Sequence, residues 1–226
     1  MTVPNKKLVV FGCSYSSGLL HLCNKQSWPS IFAQNNPEYE VVNYAMGGSS
    51  LQYSIAMLHR FLKTQVDLKN VTIIFQVTTP GRYTYNIEEI LQSEQVFTTL
   101  NNYKQIKNIP EIKTIIPNWS RQKIKLDPRQ LKLYQDRIKY YPSVCTDIEF
   151  ESQVAYVKSI CNFTFYHRRY ESSIPQHLSV KYNDIPCIRS ILGAEKFDEY
   201  AIDNGHHFGT DGLNYVANFI KDIIFD

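Results

Sequence analysis

Nowhere in the 226 residues is there an apolar run near the ~20 residues that cross a bilayer. The first such run, Leu8 to Phe11, is cut off by Gly12. It is too short for the core of a secretory leader, so a cytoplasmic chain with no membrane span is expected. C-x-x-C motifs are also absent. The five cysteines, Cys13, Cys23, Cys145, Cys161 and Cys187, are odd in number and match no metal-ligand spacing. They read as a reduced chain rather than a disulfide framework or a metal site. A large excess of one charge sign is missing: a net charge of +3 does not by itself point to a nucleic-acid partner. There is no internal repeat and no low-complexity segment. What is present is an ordinary globular composition, 43% hydrophobic and 20% charged, which argues against disorder. The length suits one well-filled domain over 1–226. The 16 Tyr and 12 Phe suit a large core or a sugar-facing cleft equally well.

Three apolar strands are predicted in the first third: Lys7 to Phe11, Glu40 to Tyr44 and Val71 to Val77. Each is followed by a turn and then helical sequence. Ser27 caps a helix with Pro29 in its first turn. Ser49 or Ser50 caps another, about Leu51 to Lys63, with Ile55, Leu58 and Leu62 on one face. This alternation predicts an α/β fold with a central parallel sheet and right-handed crossovers. The turns at Ser14, Gly48 and Thr78 then all lie beyond the carboxyl ends of the strands, where such sheets place their sites.

Prolines at 110, 117 and 128 break up the region from Tyr83 to Tyr141, although Leu131 to Tyr141 reads as helical. From Lys104 to Tyr141 there are ten Lys or Arg against three acids. The stretch, about 83–145, is read as an insertion or basic lid: either a solvated surface or a rim that attracts an anionic substrate. Thr146 with Glu149 fits a capping box for a helix carrying Val154, Val157 and Ile160. Asn162 to Tyr166 reads as a fourth strand. Leu213 to Ile224 reads as a final helix with Val216, Phe219, Ile220 and Ile223 facing the core.

A serine hydroxyl needs a base to take its proton, an acid to orient the base, and N–H donors for the oxyanion. Ser14, on the turn after the first strand, is the candidate nucleophile. His206 and His207 are candidate bases, with Asp203 three and four residues before them. Gly48 can offer a backbone N–H and Thr78 or Thr79 a hydroxyl. Ser16 and Ser17 read as turn or cap residues; His21, His59, His167 and His177 read as structural or exposed. The adjacent histidines have no second cluster of ligands, so no metal or cofactor is expected.

These blocks resemble the SGNH (GDSL-type) hydrolase family, whose fold is a flavodoxin-like three-layer sandwich. The family's Gly-Asp-Ser-x-[Ser/Thr]-x-Gly corresponds to Gly12-Cys13-Ser14-Tyr15-Ser16-Ser17-Gly18, with Cys13 replacing Asp. Its Asn-x-[Gly/Ala]-x-x-Gly corresponds to Asn43 through Gly48, and a Ser-Trp-Pro at 27–29 also recurs between these blocks. In place of Gly-x-Asn-Asp stands Gln76-Val77-Thr78-Thr79, so the Asn that donates to the oxyanion is missing as such. Thr78 or Arg82 stands in its neighbourhood. In the last block, Asp-x-x-His spacing selects His206, whereas the glycine five residues on, Gly212, selects His207.

The resemblance implies a serine esterase in which His207 or His206, oriented by Asp203, activates Ser14, and the N–H groups of Gly48 and Ser14 hold the oxyanion. Arg82 is a substrate-binding candidate. The expected partner is a small-molecule or polysaccharide ester, with an anionic O-acetylated carbohydrate favoured by the basic stretch and the aromatic content. Two alternatives stand beside it: an O-acetyltransferase to a sugar hydroxyl using the same triad, and a non-catalytic glycan- or partner-binding descendant.

Overall fold

A computed structural model describes residues 6–18, 26–65, 67–78, 82–84, 97–106, 114–115, 128–129, 132, 136, 143–167, 185–202 and 207–225. The strands are β1 (Lys6–Phe11), β2 (Tyr39–Asn43), β3 (Val71–Val77), β4 (Tyr83–Thr84), β5 (Phe97–Leu100), β6 (Tyr103–Ile106), β7 (Thr114–Ile115) and β8 (Phe163–Tyr166). The helices are α1 (Ser14–Ser17), α2 (Trp28–Asn35), α3 (Leu51–Thr64), α4 (Ser143–Ile160), α5 (Ile188–Leu192), α6 (Ala194–Tyr200) and α7 (Thr210–Phe225).

The central sheet runs β5-β6-β2-β1-β3-β8. All neighbours pair in parallel except β5 with β6. β1 lies inside the sheet, with Val9 opposite both Val42 of β2 and Ile73 of β3. Its side chains alternate between two cores. Val9 and Phe11 face the core that holds Leu58 and Phe61 of α3 and Val154 and Val157 of α4. Leu8 and Val10 face the core that holds Trp28 and Phe32 of α2 and Val216 and Ile220 of α7. A strand covered on both faces needs an unbroken apolar run, which is why Leu-Val-Val-Phe occurs here rather than an alternating pattern. The expected three-layer α/β sandwich is therefore the observed architecture.

The helix starts follow local chemistry. Ser27 caps α2 in a reciprocal box with Ser30, and Pro29 sits in the first turn. Ser50 caps α3 by accepting from the Tyr53 N–H at 3.1 Å. By contrast, α4 begins at Ser143, so Thr146 lies inside its first turn and is not the cap that its spacing to Glu149 suggested.

Within the stretch 83–145, residues 97–106 join the sheet. β5 and β6 form a hairpin over Asn101 and Asn102 that extends the sheet beyond β2. Asn101 has φ of 51°, a left-handed value that Asn adopts more readily than most residues. The Asn102 side chain donates to Ala33 O at 3.0 Å and Tyr39 O at 2.7 Å, and so pins the hairpin to α2 and β2. Lys104, the first cation of the basic stretch, is paired with Glu40 of β2. A short antiparallel pair, β4 with β7, stands apart from the main sheet. The predicted helix from Leu131 to Tyr141 falls almost wholly outside the described residues. No helix among the described residues is long and apolar enough to cross a membrane.

Candidate active site

β1, β2, β3 and β8 are parallel, so their carboxyl ends meet along one edge of the sheet. Ser14, the Ala45–Ser50 turn, Thr78 and His167 all follow directly from these ends. After Phe11 the chain turns at Gly12. A Cβ there would come within 2.7 Å of both Cβ and Oε1 of Gln76, so the close approach requires glycine. Cys13 then caps the single turn α1, its carbonyl accepting from the Ser16 and Ser17 N–H groups at 3.1 and 2.9 Å. Ser14 is the first residue of that turn and is buried, with 8% exposure.

Three elements grip this turn. From β3, Gln76 Oε1 accepts from the Cys13 N–H at 3.3 Å and from the Ser16 hydroxyl at 2.7 Å, while Nε2 contacts Cys13 Sγ at 3.2 Å. From α2, Trp28 Nε1 donates to Ser16 Oγ at 3.0 Å. From β2, Asn43 Nδ2 donates to Ser16 O at 2.7 Å. Asn43 also meets the Tyr103 hydroxyl, which Ser27 contacts at 3.1 Å. Burial pushes the Tyr103 phenol above its usual range, although the bonds to Ser27 and Asn43 act in the opposite direction. It therefore stays neutral and can bridge its partners as a donor and an acceptor.

The second turn is tied to the first. The Met46 N–H and the Ser49 hydroxyl both donate to Gly12 O, at 3.1 and 3.0 Å. Gly48 has φ of 75°, and among the described residues a Cβ added there would meet nothing within 4 Å. Arg82 donates from Nη1 to Ser49 O at 3.4 Å, which places its guanidinium over the same turn. Thr78 is buried at the end of β3, and among the described residues its Oγ1 has no hydrogen-bond partner.

His207 comes from the other end of the chain, between α6 and α7. Its carbonyl accepts from the Ile202 N–H at 2.9 Å, and the Gly209 N–H donates to Tyr200 O at 2.9 Å, closing an antiparallel bridge between Ala201 and Phe208. Gly212 lets α7 approach this segment: a Cβ there would fall 2.6 Å from the Phe208 ring. Ser14 and His207 line one cavity, together with Tyr15, Trp28, Phe165 and His167. Asp203 and His206 lie outside the described residues. Among the described residues no three His, Cys, Asp or Glu side chains gather as a metal site.

Sequence reasoning missed the work of four side chains here. Gln76 was located in the third block, but its grip on Cys13 and Ser16 was not visible, because it depends on how β1 registers with β3. Trp28 figured only in the Ser-Trp-Pro helix start and Tyr15 only in the turn after the first strand. His167 was read as structural or exposed, yet it follows the strand ending at Tyr166, and the carboxyl-edge rule would have marked it.

No family model matches the chain, and no curated protein matches it. Solved structures do. A member of the lipolytic protein G-D-S-L family from Veillonella parvula DSM 2008 superposes with a TM-score of 0.51 at 11% identity, covering 97% of this chain and 98% of that one. The psychrotrophic esterase EstA from a Pseudoalteromonas species gives 0.48 at 9%, covering 97% of each chain. A catalytic mutant of Axe2, an acetylxylan esterase from Geobacillus stearothermophilus, gives 0.43 at 12%, covering 100% of this chain and 98% of that one. The first of these carries the comparison: the chain has the fold of the SGNH (GDSL-type) proteins over nearly its whole length.

Proposed function

We propose that the chain is a serine-dependent ester hydrolase. Ser14 is the nucleophile, His207 the base and Asp203 the acid that orients it. The observation that carries this reading is that Ser14 and His207, 193 positions apart in the sequence, line the same cavity at the carboxyl edge of the sheet. His207 takes the Ser14 proton as the hydroxyl oxygen attacks the ester carbonyl. It then gives that proton to the departing alcohol, and water, deprotonated in turn by His207, releases the acid.

The negative charge that develops on the carbonyl oxygen needs donors already in place. The Gly48 N–H and the Ser14 N–H supply two, and the Thr78 hydroxyl supplies the third where relatives of this pattern carry Asn. Gln76 cannot serve in that capacity, because its amide is committed to Cys13 and Ser16. Arg82, held over Ser49, offers a cation for an anionic substrate, which fits a short-chain ester on an acidic carbohydrate.

Steady-state hydrolysis of p-nitrophenyl acetate tests the reading. Ser14→Ala and His207→Ala should each lower kcat by about 10³-fold or more. Turnover unchanged in Ser14→Ala would refute the nucleophile. Turnover that rises when an oligosaccharide acceptor is added, with acetyl appearing on the sugar, would favour transfer over hydrolysis.

A further inference from the structure

Tyr15 and His167 have no part in the chemistry proposed above, yet both line the cavity that holds Ser14 and His207. The Tyr15 ring stacks on the His167 imidazole, with centroids 3.8 Å apart and planes 21° apart. The same Tyr15 ring meets the His207 imidazole at 5.1 Å and 38°. We infer that Tyr15 and His167 form a positioning stack that fixes the ring of His207 relative to Ser14. The inference rests on His207 as the base.

Each member of the stack is anchored independently. Tyr15 follows Ser14 on the turn α1, so its backbone is carried with the nucleophile, and its ring is held against His167. Gln76, Trp28 and Asn43 hold that turn through Cys13 and Ser16. His167 follows the last residue of β8, and its carbonyl accepts from the Arg189 N–H at 3.2 Å. Its ring is buried and braced by Phe208 at 4.5 Å and Phe197 at 5.2 Å. His207 has a fixed backbone, through the Ala201–Phe208 bridge, but its imidazole turns on two side-chain torsions. Backbone bonds cannot restrain those torsions, whereas contact with an aromatic ring that is itself stacked on a buried neighbour can. Stacked and tilted aromatic contacts are attractive and directional. A general base must lie within hydrogen-bond reach of the proton it takes, and displacement by about 1 Å can cost ~10²-fold in rate. Tyr15 and His167 are thus positioning residues, acting through His207.

The test is p-nitrophenyl acetate hydrolysis by single variants of the full chain. Tyr15→Ala should lower kcat by ~10- to 100-fold with KM within ~3-fold of wild type, because the base is misplaced while the substrate site is intact. Tyr15→Phe keeps the ring and should stay within ~3-fold of the wild-type kcat. A folded Tyr15→Ala protein with wild-type kcat, or one altered in KM alone, would overturn the inference. If Tyr15→Ala does not fold, His167→Phe and His167→Leu decide. Both keep bulk in the buried site, but only Phe keeps a ring, so kcat should fall ~10-fold in Leu relative to Phe; equal values would overturn the stack. Failure of the parent reading looks different, since it leaves Ser14→Ala active.

Discussion

A single amide, Gln76, ties the end of β3 to the turn that carries Ser14. Its oxygen serves two donors and its nitrogen a thiol, all in the interior. Replacing it removes partners from buried groups that water cannot reach, and each orphaned group costs ~1–3 kcal/mol. Gln76→Leu should therefore destabilise the protein by about 2–4 kcal/mol in urea unfolding, and should lower kcat as the Ser14 turn loosens. A change below ~0.5 kcal/mol would mean that the amide is not holding the turn. The positions of Ser14 and Gln76 were legible in the sequence, the first from the strand–turn pattern and the second from its place in the block order. The bonds from Gln76 to Cys13 and Ser16, the residues that flank the nucleophile on its turn, were not. They join residues 63 and 60 positions apart, which the pairing of Phe11 with Phe75 brings together.

At the scale of elements, charge and capping fix the edge of the sheet. Glu40 of β2 bridges Lys7 of β1, at 3.3 Å, and Lys104 of β6. Burial raises the Glu40 carboxyl, but bonds and proximity to Lys104 and Lys7 outweigh it and hold the group below its usual 4.5. A depressed folded value means that the stabilisation is fully present above the unfolded pKa and is lost as pH falls through the folded one. The melting temperature should therefore drop on acidification below about pH 4.5, and Glu40→Gln should flatten that part of the profile. The difference should shrink in 1 M salt, because these side chains are partly exposed and screened. Ser27 is a second such point: it caps α2 and meets Tyr103 of β6. Ser27→Ala should cost ~1–2 kcal/mol in chemical denaturation, more than a cap that lacked the second contact.

Elements with strong local signals were readable in advance: β1, β3, α2 with its Ser-Trp-Pro start, and α7. The β5–β6 hairpin was not. Its strands are only four residues each and half polar, and β6 is held by pairing with β2, and β5 by pairing with β6, rather than by any periodicity of their own. The start of α4 was misplaced for the opposite reason: a genuine capping-box spacing at Thr146 lies one turn inside a helix that begins earlier.

At the scale of the whole molecule, the succession of strand, turn and helix was enough to imply a sheet covered on both faces, because β1 is apolar at consecutive positions. Leu8→Ala and Phe11→Ala should each destabilise the protein by about 2–5 kcal/mol, since they empty opposite cores. A sheet with one solvated face would tolerate one of the two. The same topology brings residue 14 and residue 207 to one edge, and the catalytic proposal depends on that convergence. The most direct test is intact-mass analysis after treatment with a fluorophosphonate ester, followed by peptide mapping. One phosphonyl adduct on Ser14 is expected, absent in Ser14→Ala and formed about 10³-fold more slowly in His207→Ala. An adduct on another residue, or labelling of Ser14 at the same rate without His207, would contradict the assignment.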